Sequence, residues 1–212
     1  MKKFDLTLYL VTDRTNKTDL QFLDIIAKAC YSGVTLVQLR EKYLCGKELF
    51  DLAIAVKKIT DKYSVPLIID DRADIAMAVD AAGVHVGAAD LPIAYARKIL
   101  GKNKIVGATA KTVEAALAAK KDGADYLGVG AIYPTTTKVV TQLTKVESLN
   151  DIAAKTNLPC VAIGGLNTDN LDILKNSKAS GIAVVSAIMQ SDNVEKTVRE
   201  LREKWKSIKE ST

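Results

Sequence analysis

Residues 67–90, LIIDDRADIAMAVDAAGVHVGAAD, decide the fold of this chain. Two short apolar runs, residues 67–69 and Gly83–Val86, flank a segment at 74–82 whose small and apolar residues are typical of a packed helix. A strand, a helix and a second strand within so few residues form a βαβ unit, and such crossovers are right-handed and join parallel strands. We therefore expect a parallel sheet here, with both strands ending at the same edge.

The same alternation extends along the chain. Further β-rich runs lie at residues 6–12, 34–39, 105–109, 125–130, 159–163 and 181–185, and further helical patterns lie at 19–31, 46–63, 92–100, 113–121, 146–156, 167–176 and 194–209. Eight strands alternating with helices favour a TIM (β/α)8 barrel over an open flavodoxin-like sheet, which normally has fewer strands. We expect residues 1–212 to form a single barrel domain.

Composition excludes several classes of function. The net charge is +5, but the Lys and Arg residues are mixed with acids along the chain, so we expect no nucleic-acid partner. No apolar stretch is long enough for a membrane span, and the run at 6–11 is too short for a signal peptide. Cys30, Cys45 and Cys160 are odd in number and widely spaced, which favours buried thiols in the cytoplasm.

The exits of the second, third and fourth strands carry charged and polar residues. Gln38, Arg40 and Lys42 are two residues apart, so an extended exit aims all three the same way, toward a polyanion, unless they are surface ion pairs. Asp71 and Asp90 follow neighbouring strands. Each could cap a helix, but together they indicate a Mg²⁺ site, because Mg²⁺ usually takes one or two carboxylates plus water and substrate phosphate.

The sole histidine, His85, lies within an apolar strand and is expected to be a packed core residue. Imidazole acid–base catalysis is therefore not expected. After the seventh and eighth strands, Gly164, Gly165 and Ser186 match the phosphate site that TIM barrels build from backbone N–H groups. The hydroxyls and lysine of residues 135–138, TTTK, suit a loop that closes over a phosphate.

These residues predict a diphosphate site with a metal and a monophosphate site in one pocket, with no evident nucleophile or base. Such a pocket favours a transferase in which diphosphate leaves and a second phosphorylated molecule captures the electrophile. Each group also has an alternative that involves no phosphate. The charged residues after the second strand could form surface ion pairs, residues 135–138 could be an ordinary polar loop, and Gly164 and Gly165 could simply allow a turn.

Seven motifs resemble the thiamine-phosphate synthase family in their order and spacing. They are LYLVTDR (8–14), VQLREK (37–42), LIIDDRADIA (67–76), GVHVGAADLP (83–92), GADYLGVGAIYPTTTK (123–138), AIGGL (162–166) and VVSAI (184–188). The resemblance implies a TIM barrel that uses Mg²⁺ to join 4-amino-2-methyl-5-(diphosphomethyl)pyrimidine to 4-methyl-5-(2-phosphoethyl)thiazole, or its carboxylated form. The diphosphate leaves first, and the thiazole nitrogen attacks the resulting pyrimidine-methyl cation.

The resemblance also implies a role for individual residues. Catalysis is assigned to Arg40, Lys42 and Lys138, and the metal to Asp71 and Asp90. Binding of the pyrimidine diphosphate is assigned to Gln38, Leu39, Arg40, Glu41, Lys42, Asp70, Thr109 and Lys138. Binding of the thiazole phosphate is assigned to Thr135, Thr136, Thr137, Gly165, Val185 and Ser186.

This chain departs from the family pattern at several positions. Asp70 stands where the family usually has Asn, Ala88 replaces a usual Gln, Thr109 replaces Ser, and Lys111 stands where His or Ser is common. The main alternative function is a thiazole-phosphate tautomerase of the same barrel family, and a third is a non-catalytic phosphate sensor. The sequence leaves the oligomeric state open, with a homodimer as one option.

Overall fold

Parallel strands close into a barrel in the computed structural model, which describes residues 4–134 and 143–211. Each strand pairs with the next along the chain, and the last pairs with the first. The eight strands within these ranges are β1 Leu8–Val11, β2 Leu36–Leu39, β3 Leu67–Asp70, β4 Gly83–Val86, β5 Ile105–Thr109, β6 Tyr126–Val129, β7 Cys160–Ile163 and β8 Gly181–Val184. The predicted TIM (β/α)8 barrel is confirmed, while its assignment as one domain over 1–212 stays a prediction.

Helices follow the strands and surround the barrel. They are α1 Asp19–Ser32, α2 Gly46–Lys62, α3 Ala73–Ala78, α4 Ile93–Leu100, α5 Val113–Lys121, α6 Val146–Thr156, α7 Ser186–Met189 and α8 Val194–Glu210. The predicted α5 and α6 have the observed bounds. Helix α3 is shorter than predicted because Asp80 takes a left-handed backbone conformation, φ 52°, which ends the helical turn.

The predicted helix at 167–176 is wrong. Only a short 3₁₀ turn, Leu171–Leu174, forms there. The Asn170 side chain accepts a hydrogen bond from the Asn167 N–H, and the Asn167 side chain accepts one from the Asp169 N–H. Such local bonds compete with the helical ladder, which explains why the apolar spacing did not produce a helix.

The start of α1 differs by one residue from the expectation that Asp19 caps it. Thr18 is the N-cap: the Gln21 N–H donates to Thr18 Oγ1, and the Gln21 side chain accepts from the Thr18 N–H. This reciprocal capping box satisfies two donors at the helix start. Asp19 is instead the first helical residue, where a negative charge favours the helix dipole.

Alternate residues of each strand face two separate apolar cores. Tyr9, Leu36, Ile68, Tyr126 and Val161 are among the residues of the inner core, within the barrel. Their chain neighbours, such as Leu10, Val37 and Ile69, belong to the outer core shared with the helices. Because side chains alternate across a strand, this register decides which residues reach the inside of the barrel and the cavity at its end.

The three cysteines differ in their burial. Cys30 and Cys160 are buried, as expected, but Cys45 is exposed at the start of α2, so the expectation that it is buried is wrong. Its place before the first turn of a surface helix keeps it out of the core.

Within the described ranges, none of the helices combines the length and apolar character needed to cross a membrane.

Candidate functional site

A cavity of about 230 Å³ lies at the carboxyl ends of the barrel strands. This is the edge where TIM barrels keep their active sites. The structure brings most of the predicted site residues together in its lining: Gln38, Arg40, Lys42, Asp70, Asp71, Asp90, Thr109, Gly165, Val185 and Ser186. Residues separated by more than a hundred positions in sequence thus share one pocket.

Two of the predicted residues do not line the cavity. Leu39 is fully buried in the outer core, because its parity in β2 turns it toward the helices. Glu41 is half-buried, and burial raises the pKa of its carboxyl while Arg14 opposes that rise. The predicted roles of Thr135, Thr136, Thr137 and Lys138 fall outside the described residues.

Lys42 joins two carboxylates on one side of the cavity. Its Nζ lies 2.9 Å from Asp70 Oδ2 and also donates a hydrogen bond to Asp71. Arg40 Nε is 3.9 Å from the same Asp70 oxygen. The Asp70 side chain is nearly buried, whereas Arg40 and Lys42 keep part of their surface open to the pocket. Two cations therefore remain accessible to an anion while they neutralise a buried acid.

The Asp71 and Asp90 carboxylates meet across β3 and β4. Their side chains are within hydrogen-bonding contact. Asp71 has a left-handed backbone, φ 59°, and its N–H donates to the His85 carbonyl at 2.8 Å. Asp90 is held by the Gly87 N–H, which donates to Asp90 Oδ2 at 2.9 Å.

Close packing of carboxylates perturbs the ionisation of Asp71. Burial raises the pKa of Asp71 to about 6; Asp70 and Asp90 add to the rise, and Lys42 opposes it. A cation between Asp71 and Asp90 would relieve this repulsion.

The donor set at this point suits a hard divalent cation. Two carboxylates beside an open cavity leave room for the water and substrate oxygens that complete a Mg²⁺ shell. Among residues 4–134 and 143–211, no three His, Cys, Asp or Glu side chains converge to form a cage for a metal. The residues present therefore fit an ion that is shared with a substrate.

The opposite side of the cavity is built from backbone. Gly164 and Gly165 have φ values of 106° and 64°, and a Cβ on Gly165 would lie 2.6 Å from the Pro134 carbonyl oxygen. The Asn170 side chain donates to the Gly165 carbonyl at 2.8 Å and holds this turn. Ser186 begins α7, which the sequence analysis did not predict. A glycine turn and one hydroxyl-bearing residue thus line the wall opposite the charged side.

The floor of the cavity contains two tyrosines that sequence reasoning missed and His85, which it expected only as a packed core residue. Tyr9 and His85 line the pocket, and Tyr126 lies beneath it in the inner core. His85 is buried as predicted, but both ring nitrogens are hydrogen-bonded, Nδ1 to Tyr126 and Nε2 to Thr109, each at 3.0 Å. Burial lowers the pKa of His85 to about 4, so the ring is neutral at pH 7. The sequence signal that could have found them is a polar or hydroxyl-bearing side chain at a strand position that faces the inside of the barrel.

Lys111 also lines the cavity, after β5. The sequence analysis noted this lysine only as a departure from a family pattern. Its position adds a third lysine or arginine, after Arg40 and Lys42, to the described cavity wall.

Comparisons with known proteins show which family the chain is similar to. The family model described as "Thiamine monophosphate synthase" matches residues 8–188. The chain is 50% identical over 208 residues to the thiamine-phosphate synthase of Lacticaseibacillus paracasei, covering 98% of each chain. It is also 50% identical to that of Clostridium tetani, covering 94% of this chain and 96% of the other.

Solved structures show the same likeness. The thiamine phosphate pyrophosphorylase of Pyrococcus furiosus has a TM-score of 0.85 and 37% identity, with 96% of both chains covered. A 3-hexulose-6-phosphate synthase has a TM-score of 0.75 at 19% identity, covering 93% of this chain and 99% of its own. At this identity the second likeness shows the barrel fold alone.

Proposed function

The chain belongs to the thiamine monophosphate synthase family, and on that premise we propose that its cavity is the active site of this synthesis. The enzyme is a transferase acting on small molecules. Its proposed substrates are the aminopyrimidine-methyl diphosphate and the thiazole monophosphate named above, and its products are thiamine phosphate and diphosphate. One observation carries the proposal: charged side chains on β2–β4 face a backbone-built turn on β7–β8 across one cavity.

The charged side suits the diphosphate. Arg40 and Lys42 present donors beside the cavity, and Lys138 is proposed to join them. Mg²⁺ held by Asp71 and Asp90 would supply a positive charge to the departing diphosphate. The side chains stay in place through their bonds to one another, so little reorganisation is needed as charge develops on the leaving group.

The backbone side suits the thiazole phosphate. The turn at Gly165, together with Val185 and Ser186, is proposed to bind this phosphate, with Thr135, Thr136 and Thr137 adding hydroxyls. Two bound anions would place the thiazole nitrogen opposite the pyrimidine methylene carbon. The C–O bond to diphosphate breaks, both its electrons leave with the diphosphate, and the nitrogen lone pair forms the new C–N bond.

This reaction needs no general base, since the attacking nitrogen carries no proton to remove. That requirement matches the neutral, hydrogen-bonded His85. The alternative, a thiazole-phosphate tautomerase, would have no use for a diphosphate site. None of the relatives given above is named as a tautomerase.

The direct test mixes the purified protein with both substrates and Mg²⁺ and measures thiamine phosphate and diphosphate. We expect equimolar products, and loss of both when a chelator removes the metal. The control omits the pyrimidine substrate and follows the thiazole phosphate alone. An isomerised thiazole without coupling would identify a tautomerase, and full product formation in chelator would contradict the metal site.

We further propose that the protein acts in the cytoplasm, as the free thiols of Cys30, Cys45 and Cys160 support. The homodimer stays a prediction, and sedimentation equilibrium of the purified chain tests it.

A further inference from the structure

Five hydrogen-bonded side chains cross the interior of the barrel beneath the cavity. Gln38 Nε2 donates to Tyr9 Oη at 2.7 Å, and Tyr9 Oη lies 2.8 Å from Tyr126 Oη. Tyr126 Oη lies 3.0 Å from His85 Nδ1, and His85 Nε2 lies 3.0 Å from Thr109 Oγ1. We call this set, from β2 to β5, the barrel chain.

The barrel is shaped to hold the two central side chains. Gly107 leaves space for the Tyr126 ring, because a Cβ at that position would lie 2.3 Å from Tyr126 Oη. Gly128 does the same for His85, whose Cε1 would be 3.3 Å from a Cβ there. Tyr9 and Tyr126 are essentially buried, so their hydroxyls depend on each other and on their partners in the chain.

The donor and acceptor roles along the barrel chain depend on one another, because each hydroxyl has one proton to donate. Either Tyr9 or Tyr126 can donate in the bond between them, and the roles at His85 depend on its tautomer. In the arrangement that gives the buried Tyr9 proton an acceptor, Tyr9 accepts from Gln38 and donates to Tyr126, and Tyr126 donates to His85 Nδ1. A buried imidazole between two hydroxyls is neutral, because burial disfavours the cation. In that arrangement its single proton lies on Nε2 and is donated to Thr109.

We propose that the barrel chain sets the hydrogen-bonding character of two cavity walls, with Tyr9, Tyr126 and His85 as positioning residues. Gln38 donates one of its two amide N–H groups to Tyr9, and its Oε1 remains an acceptor. Thr109 accepts from His85 and keeps its hydroxyl proton as a donor. Both residues line the cavity.

This pair of groups is complementary to an aminopyrimidine. The exocyclic amino group donates, which suits Gln38 Oε1, and the ring nitrogens accept, which suits the Thr109 hydroxyl. This step rests on the proposed function, since it concerns recognition of the pyrimidine substrate. The direction of hydrogen bonding along the barrel chain is a property of the free protein and is tested without substrate.

The first experiment reads the His85 tautomer by ¹⁵N NMR of histidine-labelled protein carrying no histidine tag. The chain has one histidine, so the spectrum reports His85 alone. We expect one tautomer with the proton on Nε2. Gln38→Glu places an acceptor at the Gln38 end of the barrel chain and should move the His85 proton to Nδ1. Wild-type protein protonated on Nδ1, or averaged between both tautomers, would overturn the proposal.

Two variants separate signalling along the chain from a local effect. Tyr9→Phe removes the link to Gln38, so Gln38→Glu added to it should no longer move the proton. Tyr95→Phe alters an exposed tyrosine that is not part of the barrel chain and should leave the spectrum unchanged. An unchanged spectrum in folded Gln38→Glu protein would end the proposal. If that variant does not fold, Tyr126→Phe replaces it, and an unaltered His85 spectrum in this variant would be equally decisive.

The second experiment measures substrate affinity. Tyr126→Phe should raise the KM for the pyrimidine diphosphate about fivefold, the value of one hydrogen bond, and leave the KM for the thiazole phosphate unchanged. Equal changes in both constants would show a merely structural role. If no coupling activity is found at all, the proposed function fails, while the tautomer measurement still decides the direction of the barrel chain.

Discussion

The two sides of the cavity are suited to anions by different physical means. On β2–β4, charged side chains form a compact cluster in which Lys42 contacts Asp70 and Asp71. On β7–β8, the Gly164–Gly165 turn and the start of α7 offer main-chain groups and one hydroxyl. The first side depends on the charge of each residue and the second on backbone conformation. Substitutions should therefore act through charge on one side and through shape on the other.

The largest effect is expected from Asp71→Asn, which neutralises one proposed metal ligand. Asn tolerates the left-handed conformation of residue 71, so the fold should persist. We expect kcat to fall at least about a hundredfold, because charge on the leaving diphosphate loses its main compensation. Steady-state assays over a Mg²⁺ titration measure this loss.

Asp74→Asn is the matched control, since Asp74 pairs with Arg72 on the surface close by in sequence. It should leave kcat and the Mg²⁺ dependence unchanged. Near-normal turnover in Asp71→Asn would remove this residue from the metal site.

On the backbone side, Gly165→Ala should disturb the turn without changing any charge. Its Cβ would meet the Pro134 carbonyl oxygen at 2.6 Å and the Tyr133 Cβ at 2.7 Å. We expect the KM for the thiazole phosphate to rise about 10- to 100-fold, since a displaced site can cost that much.

Gly101→Ala is a control that also adds a Cβ at a glycine of positive φ. Gly101 has φ 68°, close to the 64° of Gly165, but no atom lies within 4 Å of its Cβ position. It should lower stability and leave both KM values unchanged. Equal kinetic effects of the two variants would contradict a phosphate site at Gly165.

Asp70→Asn sharpens the comparison on the charged side. It removes a nearly buried negative charge that now engages Lys42 and Arg40. With those cations released toward the diphosphate, we expect its KM to fall about three- to tenfold. The KM for the thiazole phosphate should not change, and an increase in the diphosphate KM would show that Asp70 aids binding.

The smallest effect is expected from Ser186→Ala, which removes one hydroxyl and leaves the backbone intact. The KM for the thiazole phosphate should rise about fivefold, with kcat unchanged. Ser207→Ala, an exposed change on α8, serves as the control. An unchanged KM in Ser186→Ala would assign the phosphate site to main-chain groups alone.

Much of the site could be predicted because strand exits in a barrel share one end. Asp71 and Asp90 were linked from their places after neighbouring strands, and their side chains do meet. Leu39 was assigned to the site by position in a motif, yet strand parity turns it to the outer core. The helix at 167–176 failed because local asparagine bonds replaced the helical ladder.

By itself, the sequence determined the alternation of strands and helices and the chemistry gathered at the barrel end, since apolar periodicity and short-range order are local properties. Only the tertiary structure decided that Tyr9, Tyr126 and His85 join Gln38 to Thr109, because these bonds connect strands far apart in the chain. Closure of the barrel brings those strands within reach, and the glycines at 107 and 128 give the rings their space.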